Sequence, residues 1–379
     1  MMNDILAHEE LNTGRQREFD YLKGIFMLFI YLIHAFQVTL SPEDPFLQGI
    51  YMFATMSGAA MFIFVMGIGT VYSKNVAPVT FVKSGIRMVI YQYLNNLVYV
   101  AALLVPYPFV SERLSEIGTK TLKMLIWIYI QYTNIFFITG IIYLVLALLK
   151  KMNIKTVWYA VIGVAVAILA PFVYGIPVDI PVLGYIVKLL IGDAYFVSFT
   201  PLYFLAYALL GVAFGKILRH VKNKVRFYGI LTCPSIAIVA VWWILIFRRY
   251  GLDISEMRSA LGYSYTHPDL WHVVASLAHI VIFAAIFFFI ENLGGKKDGQ
   301  SHPKNPFAKQ VLYYSRHISK YYALHTIVYF IALGINGYMG FKSYQCWLLA
   351  LLSILVTECM VRGYNYLMAK KQMMKEYDN

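Results

Sequence analysis

Arg17-Glu18-Phe19-Asp20-Tyr21-Leu22-Lys23-Gly24 leads into the apolar run Ile25-Phe26-Met27-Leu28-Phe29-Ile30-Tyr31-Leu32-Ile33, which ends at His34. Fourteen helical steps separate Asp20 from His34. At about 1.5 Å per residue they cover roughly 21 Å, most of a hydrocarbon core about 30 Å thick. A titratable imidazole at that depth is costly and marks a functional position by default. The plainer reading is a histidine bonded to a neighbouring helix or lying among headgroups. Asp20, near the helix start, complements the helix dipole.

The rest of the chain agrees with a membrane entry at that point. Of 379 residues, 60% are hydrophobic and 13% charged, and the mean hydropathy is +0.63. Soluble domains carry about 25% charge, so the composition is that of a polytopic membrane protein. The 31 Tyr, 26 Phe and 6 Trp suit many membrane–water interfaces. Cys233, Cys346 and Cys359 are far apart and offer neither a disulfide framework nor zinc spacing. Residues 1–18 are polar and no small-residue cleavage site follows the first apolar run, so that run is expected to stay as a signal anchor.

Apolar runs near twenty residues place helices at about 20–40, 47–72, 86–106, 122–149, 156–174, 198–218, 228–247, 270–290, 319–338 and 344–368. The fourth is interrupted by Gln131-Tyr132-Thr133-Asn134, which suggests a short interfacial helix before a span at about 134–149. Loop charge tests the count. With the N-terminus inside, 24 of the 32 Lys and Arg fall on the inner side and 8 on the outer. The positive-inside rule gives that bias for ten spans with both termini cytoplasmic. The net charge of +13 is therefore loop charge and calls for no nucleic-acid partner. The expected architecture is an all-α polytopic bundle: residues 1–19 as cytoplasmic tail, 20–368 as membrane domain, 369–379 as a second tail. Membrane lipid is its surroundings, and a bacterial-type inner (plasma) membrane its expected location. Gly294-Gly295-Lys296-Lys297-Asp298-Gly299 with Pro303 and Pro306 reads as a linker inside the 291–318 connection.

The opening motif, with Arg17, Asp20, Leu22, Lys23 and Gly24 followed by His34, resembles the first helix of the acyltransferase 3 superfamily and the related heparan-α-glucosaminide acetyltransferase-like proteins, which open R-x-x-D-x-L-R-G. Lys23 stands where the family usually has Arg. Phe62-Ile63-Phe64-Val65-Met66-Gly67 is similar to the family's F-x-F-x-x-G second helix, and Lys83-Ser84-Gly85-Ile86-Arg87 takes the place of its R-x-x-R. The segment Tyr314-Ser315-Arg316-His317-Ile318-Ser319-Lys320-Tyr321-Tyr322-Ala323-Leu324-His325 resembles the late S-x-x-x-Y-x-x-H helix start. The likeness spans about residues 15 to 365.

The resemblance implies transfer of an acyl group, acetyl in the first place, from cytosolic acyl-CoA to a hydroxyl or amine of an extracytoplasmic or lipid-linked sugar, with no metal. His34 is the expected base, since an imidazole titrates near working pH, or else a nucleophile through an acyl-imidazole. Lys83 and Arg87, four apart on one helix face, would clamp coenzyme A phosphates; routine inner-surface anchoring is their plainer reading. Lys lacks the bidentate fork of Arg, so the two replacements weaken that carry-over and leave room for a sensor or scaffold.

His325 is expected on the coenzyme A side, and six residues into its helix it would reach the level of His34 only through a kink or displacement. His279, near the middle of its helix, is a candidate lining residue of the same cavity. Asp253, Glu256 and His267, in an aromatic-rich outer loop, are candidate contacts to a carbohydrate acceptor, against the reading of a solvated loop. Asn95, Asn96 and Asn134 would join helices or line a tunnel. Glu358 and Arg362, four apart, read as an intrahelical ion pair. A transporter or flippase for a small polar or lipid-linked substrate is the rival reading.

Overall fold

A computed structural model describes residues 5–39, 44–74, 77–178, 180–192, 199–253, 256, 257, 259, 261, 266–293 and 305–377. Among the described residues the fold is all-α, and ten helical stretches are long and apolar enough to cross a membrane. In chain order the helices are α1 (Arg17–Val38), α2 (Pro45–Thr55), α3 (Gly58–Tyr72), α4 (Pro78–Leu104) and α5 (Glu116–Gln131). There follow α6 (Ile135–Lys151), α7 (Thr156–Val173), α8 (Pro181–Ile191), α9 (Pro201–Arg219) and α10 (Lys224–Tyr250). The chain continues through α11 (Leu270–Leu293), α12 (Pro306–Arg316), α13 (Ile318–Leu324), α14 (Ile327–Ile335) and α15 (Ser343–Tyr377). The linker motif at residues 294–299 and Pro303 lies outside the described residues, whereas Pro306 opens α12, where its missing N–H costs nothing.

Helix ends follow local chemistry. Asn134 ends the interruption read between residues 131 and 134: its side chain accepts from the Phe136 N–H and caps α6. Gln92 supports the same joint, accepting from the Asn134 N–H at 3.0 Å and donating to the Tyr132 carbonyl at 3.0 Å. The third span begins earlier than the hydropathy run implies, because Pro78 starts the helix and Lys83 and Arg87 then fall within α4. Exposed Leu348, Leu351, Leu352 and Leu355 form one stripe on α15, an apolar face of the kind that lipid covers.

The chain forms two compact units. The first comprises residues 1–22, 48–94 and 131–301. Its centre is α9, which packs on α3 and α7, while α10 packs on α11. The α3–α9 crossing is made by glycines. A Cβ on Gly67 would run into the Ala208 carbonyl, and one on Gly211 into the Phe64 carbonyl. Gly215, completing Gly211-x-x-x-Gly215, would place its Cβ 3.1 Å from Ile68 Cα. Small residues let two backbones touch where lipid offers no hydrophobic drive to pack them.

Charges in this unit are tied to the N-terminal segment. Glu18, only 2% exposed, accepts from Lys224 Nζ at 2.5 Å and from the Tyr228 hydroxyl at 2.9 Å. Lys224 also donates to Gln16 Oε1 at 2.8 Å. Arg17 pairs with Glu291 at 2.9 Å, and Asp20 with Arg15 at 2.5 Å. Glu18→Ala strips the partly buried Lys224 ammonium of its counter-charge, and breaking a fully buried pair costs about 3–5 kcal/mol, an upper bound here. The expected outcome is a clear fall in the unfolding midpoint in detergent, while Glu10→Ala, whose pair with Arg219 is more exposed, changes it little.

The second unit comprises residues 23–47, 95–130 and 302–379. Tyr99, Leu103, Leu122, Leu125, Phe330 and Leu333 are core residues, and the Tyr338 hydroxyl donates to the Leu103 carbonyl at 2.9 Å. Asn96, read as helix glue, donates to the Ile130 carbonyl at 3.3 Å. Gly24 lets α1 lie against α12, since a Cβ there would overlap the Val311 carbonyl. That close approach is a physical reason for the glycine that ends the opening motif.

Candidate active site

His34 and His325 meet in the second unit although 291 residues separate them in sequence. His34 Nδ1 lies 2.7 Å from His325 Nε2, with the rings stacked at 4.9 Å between centroids. His325 meets His34 from a break in its own helix. α13 stops at Leu324 and α14 starts at Ile327, with His325 and Thr326 in the joint.

Side chains satisfy that joint where neither lipid nor water can. The His325 Nδ1–H donates to the Tyr322 carbonyl at 2.7 Å, and the Ser353 hydroxyl of α15 donates to the His325 carbonyl. The three-residue spacing from Tyr322 to His325 is what brings that carbonyl within reach of the ring. Tyr329 of α14 holds α1 in register, donating its hydroxyl to the Tyr31 carbonyl at 2.9 Å. Tyr31 and Tyr322 complete an aromatic collar, with ring centroids 5.4 Å from His325 in both cases.

This chain of contacts assigns the tautomers. A carbonyl only accepts, so His325 carries its proton on Nδ1 and, as a neutral imidazole, a lone pair on Nε2. His34 must then donate from Nδ1, which leaves the lone pair on His34 Nε2. His325 is fully buried and His34 half-buried. Nε2 of His34 has no hydrogen-bond partner among the described residues. The arrangement is a half-open base or nucleophile backed by a buried imidazole and a carbonyl. A proton arriving at Nε2 creates a cation whose Nδ1–H already points at an acceptor.

Both ring nitrogens of His325 are engaged, Nδ1 with the Tyr322 carbonyl and Nε2 with His34 Nδ1. Below the pair, Glu358 accepts from Arg362, from Gln310 Nε2 at 2.9 Å and from the Tyr321 hydroxyl at 2.5 Å. The intrahelical ion pair read in the sequence is thus part of a network linking α12, α13 and α15.

The other expected site residues belong to the first unit. Lys83 and Arg87 share one side of α4 and are both exposed. Asp253 and Glu256 are exposed as well, and Asp253 Oδ1 accepts from the Glu256 N–H at 3.0 Å, as a helix cap does. His267 is buried between Tyr174 and Tyr203, with centroids at 4.2 and 5.5 Å, and meets the Thr266 hydroxyl at 2.7 Å. His279 is buried against Phe53 and Phe283. Among the described residues no group of three His, Cys, Asp or Glu could hold a metal ion. Tyr322, Ser353 and Tyr329 are additions that sequence reading alone did not single out. No family model, curated protein or solved structure matches the chain. What fold and site define together is a multi-pass helical membrane protein with a paired-histidine centre.

Proposed function

We propose that this protein is a membrane acyltransferase moving an acetyl group from acetyl-CoA to a hydroxyl or amine of a carbohydrate or lipid-linked sugar. The observation that carries the reading is the His34–His325 contact at 2.7 Å, with the Tyr322 carbonyl behind it and the His34 Nε2 lone pair in front. Nε2 takes the acceptor proton as the acceptor oxygen or nitrogen attacks the thioester carbonyl. The C–S bond then breaks, and the thiolate of coenzyme A leaves with the proton that His34 returns. His325 holds the imidazolium between those two events by accepting from its Nδ1–H, which is electrostatic support placed before charge develops.

The positive-inside bias supports an orientation with both termini cytoplasmic. In that orientation Lys83 and Arg87 lie on the coenzyme A side and His34 in the outer half of α1. Proteoliposomes containing the chain should release free coenzyme A from labelled acetyl-CoA when given a sugar acceptor, and the label should appear on the acceptor. Movement of sugar across the bilayer with acetyl-CoA untouched would identify a transporter instead.

A further inference from the structure

Lys150 at the end of α6 and Lys216 near the end of α9 stand apart from the other loop cations of the first unit. Both are half-buried, whereas Lys151 and Lys155 nearby in the chain are exposed. Each lies over an aromatic ring. Lys150 Nζ is 4.3 Å from the ring centroid of Phe81 of α4, and Lys216 Nζ is 4.8 Å from that of Tyr159 of α7. Phe81 and Tyr159 are 3% and 2% exposed, so both ammonium groups rest on rings fixed in the core. The tight turn at Asn153, with φ of 50°, folds the start of α7 back beside the end of α6, and α9 packs on both helices. Lys216 is thereby close enough to Lys150 for its charge to act there.

A helix dipole favours a cation in each last turn, yet exposed positions would serve that purpose and keep like charges apart. Neither Lys150 nor Lys216 has an ion-pair partner among the described residues. Glu10, whose charge reaches Lys216, is bonded to Arg219 at 2.5 Å. Two half-buried like charges without a counter-charge repel, and an anion shared by them replaces that cost with attraction.

The surroundings point to the source of the anion. Leu148, Met152, Val157, Trp158 and Ile217, on the same helix ends, are exposed apolar side chains. Such a frame suits acyl chains, and an exposed tryptophan suits the headgroup level of a bilayer. A lipid arriving there brings a phosphodiester. A headgroup with its own ammonium would meet two more cations, so the fitting lipid carries net negative charge.

We infer that Lys150 and Lys216, held over Phe81 and Tyr159, bind the phosphate of an anionic phospholipid. This site is independent of the acyl-transfer reading and uses none of its residues.

The test titrates the full chain in detergent with phosphatidylglycerol and with phosphatidylcholine of the same acyl chains, counting bound lipid by native mass spectrometry. One phosphatidylglycerol should be held at least about tenfold more tightly than phosphatidylcholine. Lys150→Gln combined with Lys216→Gln should remove that preference. Lys151→Gln combined with Lys155→Gln takes the same charge from exposed positions and should keep it. Removing mutually repelling charges should leave the lipid-free unfolding midpoint unchanged or raised, which separates lost binding from lost folding. If the double variant fails to insert, Lys216→Gln alone decides, with a preference cut at least about threefold. Glycerol 3-phosphate and coenzyme A should not displace the lipid. Equal affinity for the two lipids, a preference retained in well-folded Lys216→Gln, or an equal loss in the Lys151→Gln, Lys155→Gln control would overturn the inference. Displacement by either soluble phosphate would overturn it too, by assigning the pair to a soluble anion.

Discussion

On the acyl-transfer proposal, His34→Ala should abolish acetyl transfer while leaving membrane insertion and the elution profile in detergent unchanged. His34 is half-buried and its Nε2 is free among the described residues, so removing it disturbs little packing but removes the only imidazole lone pair that the pair presents outward. A positioned base contributes about 10²–10⁴-fold, and a nucleophile more, so the variant should fall to background. His325→Phe is the sharper measurement. It keeps ring shape at a fully buried position while deleting the acceptor of the His34 Nδ1–H. Turnover should drop by about 10²–10⁴-fold with little change in KM for acetyl-CoA, because the loss lies in tautomer control and cation support. Turnover within twofold of wild type would reduce the contact to packing. Acid quenching after labelled acetyl-CoA without acceptor separates the two roles of His34: radioactivity on the protein, lost in His34→Ala, means an acyl-imidazole, and its absence means a base.

Gly211→Leu should prevent assembly of the first unit. The Cβ of any residue there would overlap the Phe64 carbonyl, and the reciprocal contact of Gly67 on the Ala208 carbonyl leaves neither helix room to withdraw. Overpacking usually costs about 1–3 kcal/mol when side chains can move aside; against backbone on both sides the cost should exceed about 3 kcal/mol. Gly229→Ala, at an open position on α10, is the control that should cost no more than a few tenths of a kcal/mol or gain slightly. Thermal unfolding followed by size-exclusion in detergent reads both. Equal midpoints for Gly211→Leu and Gly229→Ala would show that the α3–α9 crossing carries no stability.

Much of this architecture was open to reading because lipid imposes simple rules. Apolar length placed ten spans, and the interruption at Gln131–Asn134 proved to be a joint capped by Asn134. Pro78 was harder, since a basic, less apolar first turn hides a helix start from hydropathy. The α3–α9 crossing has a signature in the sequence, Gly211-x-x-x-Gly215, since small residues four apart let two helices touch. His34 stood out because a lone histidine in an apolar run is conspicuous. Its partnership with His325 was not legible. Segment 318–335 contains neither Pro nor Gly in its middle, so nothing local announces the break that lowers one ring onto the other. The Ser353 hydroxyl that meets the His325 carbonyl there comes from another helix, and such a contact is a tertiary property.

The great separation of His34 and His325 along the chain also has a consequence in time. Ribosomes add about 5–20 residues per second, so 291 residues take on the order of 15–60 s to emerge. During that interval α1 sits in or near the membrane with an imidazole that has no partner, and Gly24 has no α12 to lie against. The second unit, gathered from residues 23–47, 95–130 and 302–379, closes only when its last helices arrive. Biogenesis is therefore a long wait followed by a late docking step, in which the His34–His325 contact forms only once the last helices are in place.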